Sequence, residues 1–395
     1  MKQFRSYFRG HGRLAAWLLL AIAGLAGLLL YKLGSLTGGL SSGEVAAASA
    51  PVGWHGMYQQ PLDLPLKLAR SVVFYLFPAH GQTLSRLPNV VFGGLAIISF
   101  AWLIRLWHGT RTAVLAGLLF ATSAWVLHTA RLASFDVLYL WATPTLLLVH
   151  SLLHKYGKRS VVWYGSLLIW GLMLYIPGLI WLLVAEAYLQ KGVLLDSWRH
   201  FGRWWQRLLY LLAGLAWLPL LIIGLRRPGN LMSWLGLPAH LAGPAHLLKQ
   251  FVAVPVHLFI RGPQYPDIWL ARTPVLDVFT LVACVIGIYF YATHLQAARS
   301  RLLGLFTLAG LLLVGLGGPV GLSLLVPLLY VWAAAGIAYL TREWLRVFPN
   351  NPLARSLGLG LIALVVSLSC VYNLRAYFVA WPHNQTTRVT FQYHR

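Results

Sequence analysis

Two consecutive stretches decide the fold. The apolar run LAAWLLLAIAGLAGLLLYKL extends from Leu14 to Leu33, and Leu40-Ser41-Ser42-Gly43-Glu44-Val45 follows shortly after it. A helix needs about 20 mostly apolar residues to cross hydrocarbon, and the first stretch supplies them. It follows a basic region, is long for a signal peptide and has no small-residue cleavage site behind it, so a retained first membrane helix is expected. The second stretch sets an acid just beyond that span, in a chain with only 8 Asp and Glu among 395 residues. Apolar spans recur to the end of the chain. Hydrophobic residues make up 59% of it, charged residues 10%, and the mean hydropathy is +0.70. That composition excludes an ordinary soluble domain and predicts an all-α, polytopic transmembrane bundle over residues 1–395 with no separate soluble domain.

The formal charge of +23 raises the question of nucleic acid. The basic residues fall in short clusters between apolar runs, which is topology information in a membrane protein, rather than on one soluble face. No nucleic-acid partner is expected. Cys284 and Cys370 both lie inside apolar runs and read as buried thiols, without disulfide or metal spacing.

About 11 helices are expected: 14–33, 88–107, 112–130, 135–154, two from 160–189, 208–225, 274–295, 302–317, 319–340 and 357–377. Tyr175-Ile176-Pro177-Gly178 splits the fifth apolar run in two. Three polar regions remain: a first long loop at 35–88, a second at 226–272 and a tail at 378–395. Within the first loop, residues 62–77 suit an amphipathic interfacial helix. Leu62, Leu66, Ala69, Val73 and Leu76 share one face, and Asp63, Lys67 and Arg70 share another. The short segments that hold Arg105, Arg111, Lys155, Lys191, Arg299 and Arg342 are the basic ones, so the positive-inside rule puts the N-terminus inside. Both long loops, Asp136 and the tail then share the outer side.

Ionisable groups at membrane depth are costly and call for a functional hypothesis. Glu44 and Asp136 both stand at the outer end of an apolar run. Two carboxylates there suit deprotonation of an acceptor hydroxyl or a divalent metal that carries phosphate. The plainer reading of Asp136 is a helix N-terminal charge. Arg86 and Arg131 lie on the same side and could grip phosphate in bidentate fashion, against the plainer reading of arginines snorkelling to headgroups. The basic second loop suits anionic membrane lipids. His240, His246 and His257 lack metal-motif spacing. Trp107, Trp163, Trp381 and the pair Trp204-Trp205 read as interfacial anchors. Asn384-Gln385-Thr386 fits the short glycosylation pattern.

The order of pieces from Leu40 to about Leu153 resembles the N-terminal half of the GT-C glycosyltransferases, in the branch of protein O-mannosyltransferase-like and aminoarabinose-transferase-like proteins. The pieces are Gly43-Glu44, Pro61-Leu62, Arg86-Leu87-Pro88, the turn from Arg105 to Arg111, and Ala130-Arg131 followed by Asp136. Tyr377-Phe378-Val379-Ala380-Trp381 is similar to a stretch after the last helix in that group. The resemblance implies an integral protein of the bacterial plasma membrane, with its active face outside. It would transfer a sugar from a polyprenyl-phosphate-linked donor to an acceptor the sequence does not name. In the group, an Asp–Glu pair follows the first helix, and its Asp is the proposed base. That position is Gly43 here, which has no side chain to take a proton. Three readings stay open: Glu44 as base with Asp136 in support, Asp136 as base, or a non-catalytic protein that binds lipid-linked sugar or a partner.

Overall fold

A computed structural model describes residues 16, 19–49, 53–77, 81–156, 160–200, 204, 208, 211–212, 215, 217–226, 228–264, 270 and 272–392. The basic N-terminal region, the first residues of the first span, most of 201–216 with Trp205, and residues 265–269 lie outside the described residues. Every regular element among the described residues is helical. In chain order the principal ones are α1 (Leu19–Leu30), α2 (Ser42–Ala48), α3 (Trp54–Gln59), α4 (Leu64–Leu76), α5 (Gln82–His108), α6 (Thr110–Thr122), α7 (Ala124–Arg131), α8 (Val137–Tyr156), α9 (Ser160–Met173), α10 (Leu179–Leu189) and α11 (Lys191–His200). They continue with α12 (Leu218–Arg226), α13 (Pro228–Trp234), α14 (Pro244–Phe259), α15 (Val278–Ala292), α16 (Ala298–Gly315), α17 (Val326–Val347) and α18 (Pro352–Arg375).

Five helices among the described residues are long and apolar enough to span a membrane, and six if the bent pair α6–α7 counts as one. Shorter apolar helices include α1, α9, α10 and α15. The chain is therefore an integral membrane helical bundle, with fewer full-length spans among the described residues than the 11 expected. Polar breaks explain part of the difference. The run at 112–130 bends by 60° between α6 and α7. At that bend Ser123 is extended, and the freed Ala124 N–H donates to Asn373 Oδ1 of α18 (3.1 Å). Backbone irregularity at membrane depth survives only where such a partner exists. The Pro177-Gly178 break falls where the sequence put it, with Gly178 at φ 76°.

The core runs through α5, α7, α8, α15 and α17. The last two cross with main chains in contact: a Cβ on Gly287 would overlap the Trp332 carbonyl, and one on Gly336 the Ala283 carbonyl. Lipid tails are as apolar as leucine, so close approach through small residues is what favours such a crossing. Glu186 of α10 is fully buried. His150 Nδ1 of α8 lies 3.0 and 3.1 Å from its two oxygens, and Gln190 Nε2 donates to Oε1. An acid inside the bundle is thus paired and pins α10 to α8.

Gly336→Leu is expected to force α15 and α17 apart and cost about 1–3 kcal/mol or more. Thermal unfolding in detergent checks this: the variant should melt well below wild type, and Gly304→Leu, where an added Cβ meets open space, should not.

Candidate functional site

Two polar assemblies stand beside one another. The first is built on Glu44. Ser41 caps α2, its hydroxyl accepting from Glu44 N–H (3.1 Å) while Glu44 Oε2 accepts from Ser41 N–H (3.2 Å). This Ser-x-x-Glu capping box is local and predictable. The same carboxylate also accepts from Arg86, Nε to Oε1 at 2.8 Å and Nη2 to Oε2 at 2.7 Å. Ala133 N–H, in the link between α7 and α8, donates to Oε1 at 2.9 Å. Arg86 further donates from Nη1 to the Leu33 carbonyl (2.9 Å) and from Nη2 to Thr37 Oγ1 (3.0 Å) and the Gly39 carbonyl (3.1 Å). Glu44 is 3% exposed and Arg86 2%. Four donors occupy the carboxylate, so the unit joins the end of the first span, the first loop, α5 and the α7–α8 link.

Arg131 is also buried. Its Nη2 donates to the Tyr31 carbonyl, and its guanidinium lies 5.1 Å from the Tyr377 ring centroid and 4.8 Å from that of Phe378. Those rings belong to the segment after α18, where Trp381 stacks on Tyr377 (5.1 Å) and meets the edge of Phe391 (5.4 Å). The tail thus folds back onto Arg131. The structure brings Glu44 and Arg86 together, sets Arg131 against the tail, and puts Asp136 elsewhere.

The second assembly surrounds a cavity of about 300 Å³ whose walls include Gln60, Asp63, Lys67, Phe135, Asn230, Ser233 and Trp234. Asp136 stands behind that wall, near enough for its charge to act on Asp63. Asp136 follows Phe135 and packs against the turn before α17, where a Cβ on Gly321 would stand 2.8 Å from its Oδ1. Asp63 occupies the N-cap position of α4 in the left-handed region (φ 60°), and its side chain makes no capping bond. A non-glycine residue is strained there, although Asp tolerates it better than most. Its N–H donates to the Tyr175 carbonyl (2.8 Å) in the α9–α10 turn, which helps to hold this conformation. The carboxylate is left for the cavity. Lys67, one turn on, donates from Nζ to the Gln60 carbonyl (2.7 Å). Arg70, one further turn on, donates to the Ala47 carbonyl and lies 4.9 Å from the Phe135 ring centroid.

These charges are perturbed. Loss of water around Asp63 pushes its carboxyl up to about 7; Lys67 opposes the rise, the nearby Asp136 charge adds to it, and Arg70 opposes it. Burial alone raises Asp136 to about 6. Burial lowers the Lys67 ammonium, with Asp63 opposing. Burial also lowers Arg70 to about 10. Two carboxyls that titrate near neutrality beside an ammonium can exchange a proton with a ligand and bind an anion at the same time.

Sequence reading named Asp63, Lys67 and Arg70 only as the polar face of an interfacial helix. In the structure both faces turn inward over the first two turns: Lys67 and Arg70 are buried with Leu66, whereas Val72, Tyr75 and Leu76 nearer the end are exposed. The signal was the i, i+4, i+7 charge stripe on an otherwise apolar helix. Beside the cavity an apolar groove of about 400 Å³ runs between α9 and α10, with Trp170, Leu174, Leu183 and Trp217 among its walls. Trp234 lines both spaces. Among the described residues no group of three or more His, Cys, Asp or Glu gathers as a metal cluster would.

Arg86→Ala would leave Glu44 buried without its counter-charge, a change that costs about 3–5 kcal/mol. The expected result is a large fall in detergent melting temperature, with Arg86→Lys recovering only part of it because one ammonium cannot serve the same acceptors. A melting temperature equal to wild type in Arg86→Ala would refute the structural role.

No protein-family model and no curated protein sequence matches the chain. Solved structures do. ArnT from Cupriavidus metallidurans bound to undecaprenyl phosphate aligns with a TM-score of 0.54 at 14% identity, over 95% of this chain and 77% of that one. The oligosaccharyltransferase of Archaeoglobus fulgidus in its apo form aligns with a TM-score of 0.55 at 14% identity, over 94% of this chain and 56% of that one. The archaeal oligosaccharyltransferase AglB in complex with an inhibitory peptide and a dolichol-phosphate gives 0.52 at 14%, over 96% and 56%. The chain thus spans little more than half the length of the oligosaccharyltransferase. Identity at this level speaks for architecture, and the chain has the GT-C fold of these membrane glycosyltransferases.

Proposed function

We propose that this chain is a membrane glycosyltransferase that takes a sugar from a polyprenyl-phosphate donor at the outer membrane face. One observation carries the reading: a cavity lined by Asp63 and Lys67 opens beside an apolar groove across one shared tryptophan. A polyprenyl-phosphate sugar has that division of chemistry, an apolar tail joined to an anionic head and a polar ring. The structural neighbours include one bound to undecaprenyl phosphate and one in complex with a dolichol-phosphate.

In the proposed reaction the prenyl tail lies along the groove and Lys67 meets the phosphate. Asp63 takes the proton of an acceptor hydroxyl, and that oxygen attacks the anomeric carbon as the bond to phosphate oxygen breaks. Polyprenyl phosphate leaves, and configuration inverts. Asp136 adds negative potential that favours positive charge developing on the sugar ring. A base that titrates near neutrality is well matched to this task. Glu44 and Arg86, which the sequence offered for base and phosphate contact, are assigned instead to holding the first loop, because each is already occupied by the other and by main chain. Arg131 is assigned to anchoring the tail. Gly43, in place of the resembled group's acid, favours a second reading, a lipid-phosphate-binding protein without transfer.

The test incubates purified protein with labelled polyprenyl-phosphate sugars and a mixed hydroxyl acceptor pool. Wild type should release polyprenyl phosphate and label the pool; Asp63→Asn should lose about 10²–10⁴-fold in rate while staying folded. The rate should climb with pH through an apparent value near 7, as Asp63 ionises. Stability should move the other way. The folded-state value of Asp63 lies above its ordinary 3.8, so ionisation opposes folding, and stability falls as pH rises from 3.8 to about 7. Asp63→Asn removes that slope, so its melting temperature should gain on wild type between about pH 5 and about pH 8. Binding of donor without release by wild type would select the second reading.

A further inference from the structure

We infer that Gln60, Asn230 and Ser233 form the specificity wall of the cavity, and that they read the hydroxyls of one sugar ring. This rests on the lipid-phosphate reading above and adds the class of sugar to it.

The first ground is hydrogen bonding. Many hydroxyls within the helices of this protein are spent internally: Thr143, Thr145, Ser151, Ser166, Thr307 and Thr341 each donate to the carbonyl four residues back. Asn230 and Ser233 lie one turn apart on the short α13, and Gln60 faces the same cavity from the first loop. Among the described residues none of these three side chains has a protein partner. Uncommitted amide and hydroxyl groups that converge on one cavity match a ligand rich in hydroxyls. A site built to hydrogen-bond hydroxyls discriminates strongly against a ligand that lacks them.

The second ground is rigidity. Gly178 N–H donates to the Trp234 carbonyl (2.9 Å), Trp181 Nε1 to the Leu235 carbonyl (2.9 Å), and Trp234 Nε1 to the Leu174 carbonyl (2.8 Å). A Cβ on Gly236 would stand 2.6 Å from Gly178 Cα, so the two turns meet main chain to main chain, with Gly236 at φ 74°. The end of α13 is therefore clamped to the α9–α10 turn, the turn whose Tyr175 carbonyl also holds Asp63. The specificity wall and the base share one support. Trp234 and Phe135 add aromatic surface on which the C–H face of a sugar can rest.

The third ground is size. A volume of about 300 Å³ is at the small end of ligand pockets, roughly 300–1,000 Å³. It suits a single ring with its phosphate and not a lipid-linked oligosaccharide. Gln60, Asn230 and Ser233 are neutral, so this wall offers hydroxyl partners, while the charges of the cavity are those of Asp63 and Lys67.

The test measures binding by thermal shift in detergent with short-chain polyprenyl phosphate alone, with the same lipid carrying glucose, mannose or galactose, and with a diphosphate-linked disaccharide. In wild type a hexose should add affinity over polyprenyl phosphate alone, and the disaccharide should add none. Asn230→Ala and Ser233→Ala should each lose about fivefold of the hexose increment, with unliganded melting temperature and affinity for the bare lipid phosphate unchanged. An increment that survives both substitutions, or a disaccharide that binds as well as the hexoses, overturns the inference and leaves the lipid-phosphate reading standing. Absence of any binding of polyprenyl phosphate to wild type removes both.

Discussion

The buried ion pair between Glu44 and Arg86 is the constraint on which the rest of the outer half depends. Chain leaving the first span cannot run as irregular backbone in an apolar setting unless its polar groups find partners. Arg86, set near the start of α5, collects the carbonyls of Leu33 and Gly39 and the Thr37 hydroxyl. Glu44 neutralises that guanidinium and takes the amide of Ala133, which the end of α7 leaves free. A pair of this kind is weak evidence for net stability by itself, because desolvating two charges is expensive. Its effect lies in geometry: one carboxylate fixes the first loop, α5 and the α7–α8 link relative to one another.

From that fixed point the cavity follows. The α7–α8 link continues from Ala133 to Phe135 and Asp136, so the anchor that holds its amide also sets where the second acid stands. The first loop continues through α3 to Asp63, whose strained backbone is held by Tyr175. Both carboxyls end in a space poor in water, and their titration moves toward neutrality for that reason. Five of the acids divide between two jobs. Glu44, Glu186 and Asp277 are spent on internal partners: Glu186 on His150 and Gln190, and Asp277 on Thr280, Ser369 and Asn373. Asp63 lines the cavity, and Asp136 stands near enough to raise its titration further.

The membrane class and the helical architecture were legible because hydropathy is a direct reading of the solvent a helix faces. The break at Pro177-Gly178 was legible for the same local reason: proline lacks the N–H, and glycine accepts positive φ. The break at Ser123 was not, since nothing in Ala121-Thr122-Ser123-Ala124 forbids a helix. Its cause is the Asn373 amide, 249 residues away in the sequence. Glu44 was legible as important, but its partner Arg86 lies 42 positions on. Asp63 reads from sequence only as part of a polar helix face, and its left-handed backbone at the start of α4, with no capping bond, is a product of the fold. The stripe of Asp63, Lys67 and Arg70 was visible, but its direction was not. An amphipathic helix at a water boundary exposes its charged face, whereas here Lys67 and Arg70 are buried along with Leu66. Asn230 and Ser233 carry no sequence signal, because only the fold brings α13 over the first loop.

The measurement that tests the central claim most directly is a structure of the protein with short-chain polyprenyl phosphate bound. The expected result is phosphate within hydrogen-bond distance of Lys67 Nζ and beside Asp63, with the prenyl chain passing Trp234 into the groove between α9 and α10, and Glu44 still paired with Arg86. Phosphate held instead by Arg86 or Arg131, with Glu44 released toward the ligand and the Asp63 cavity empty, would contradict it.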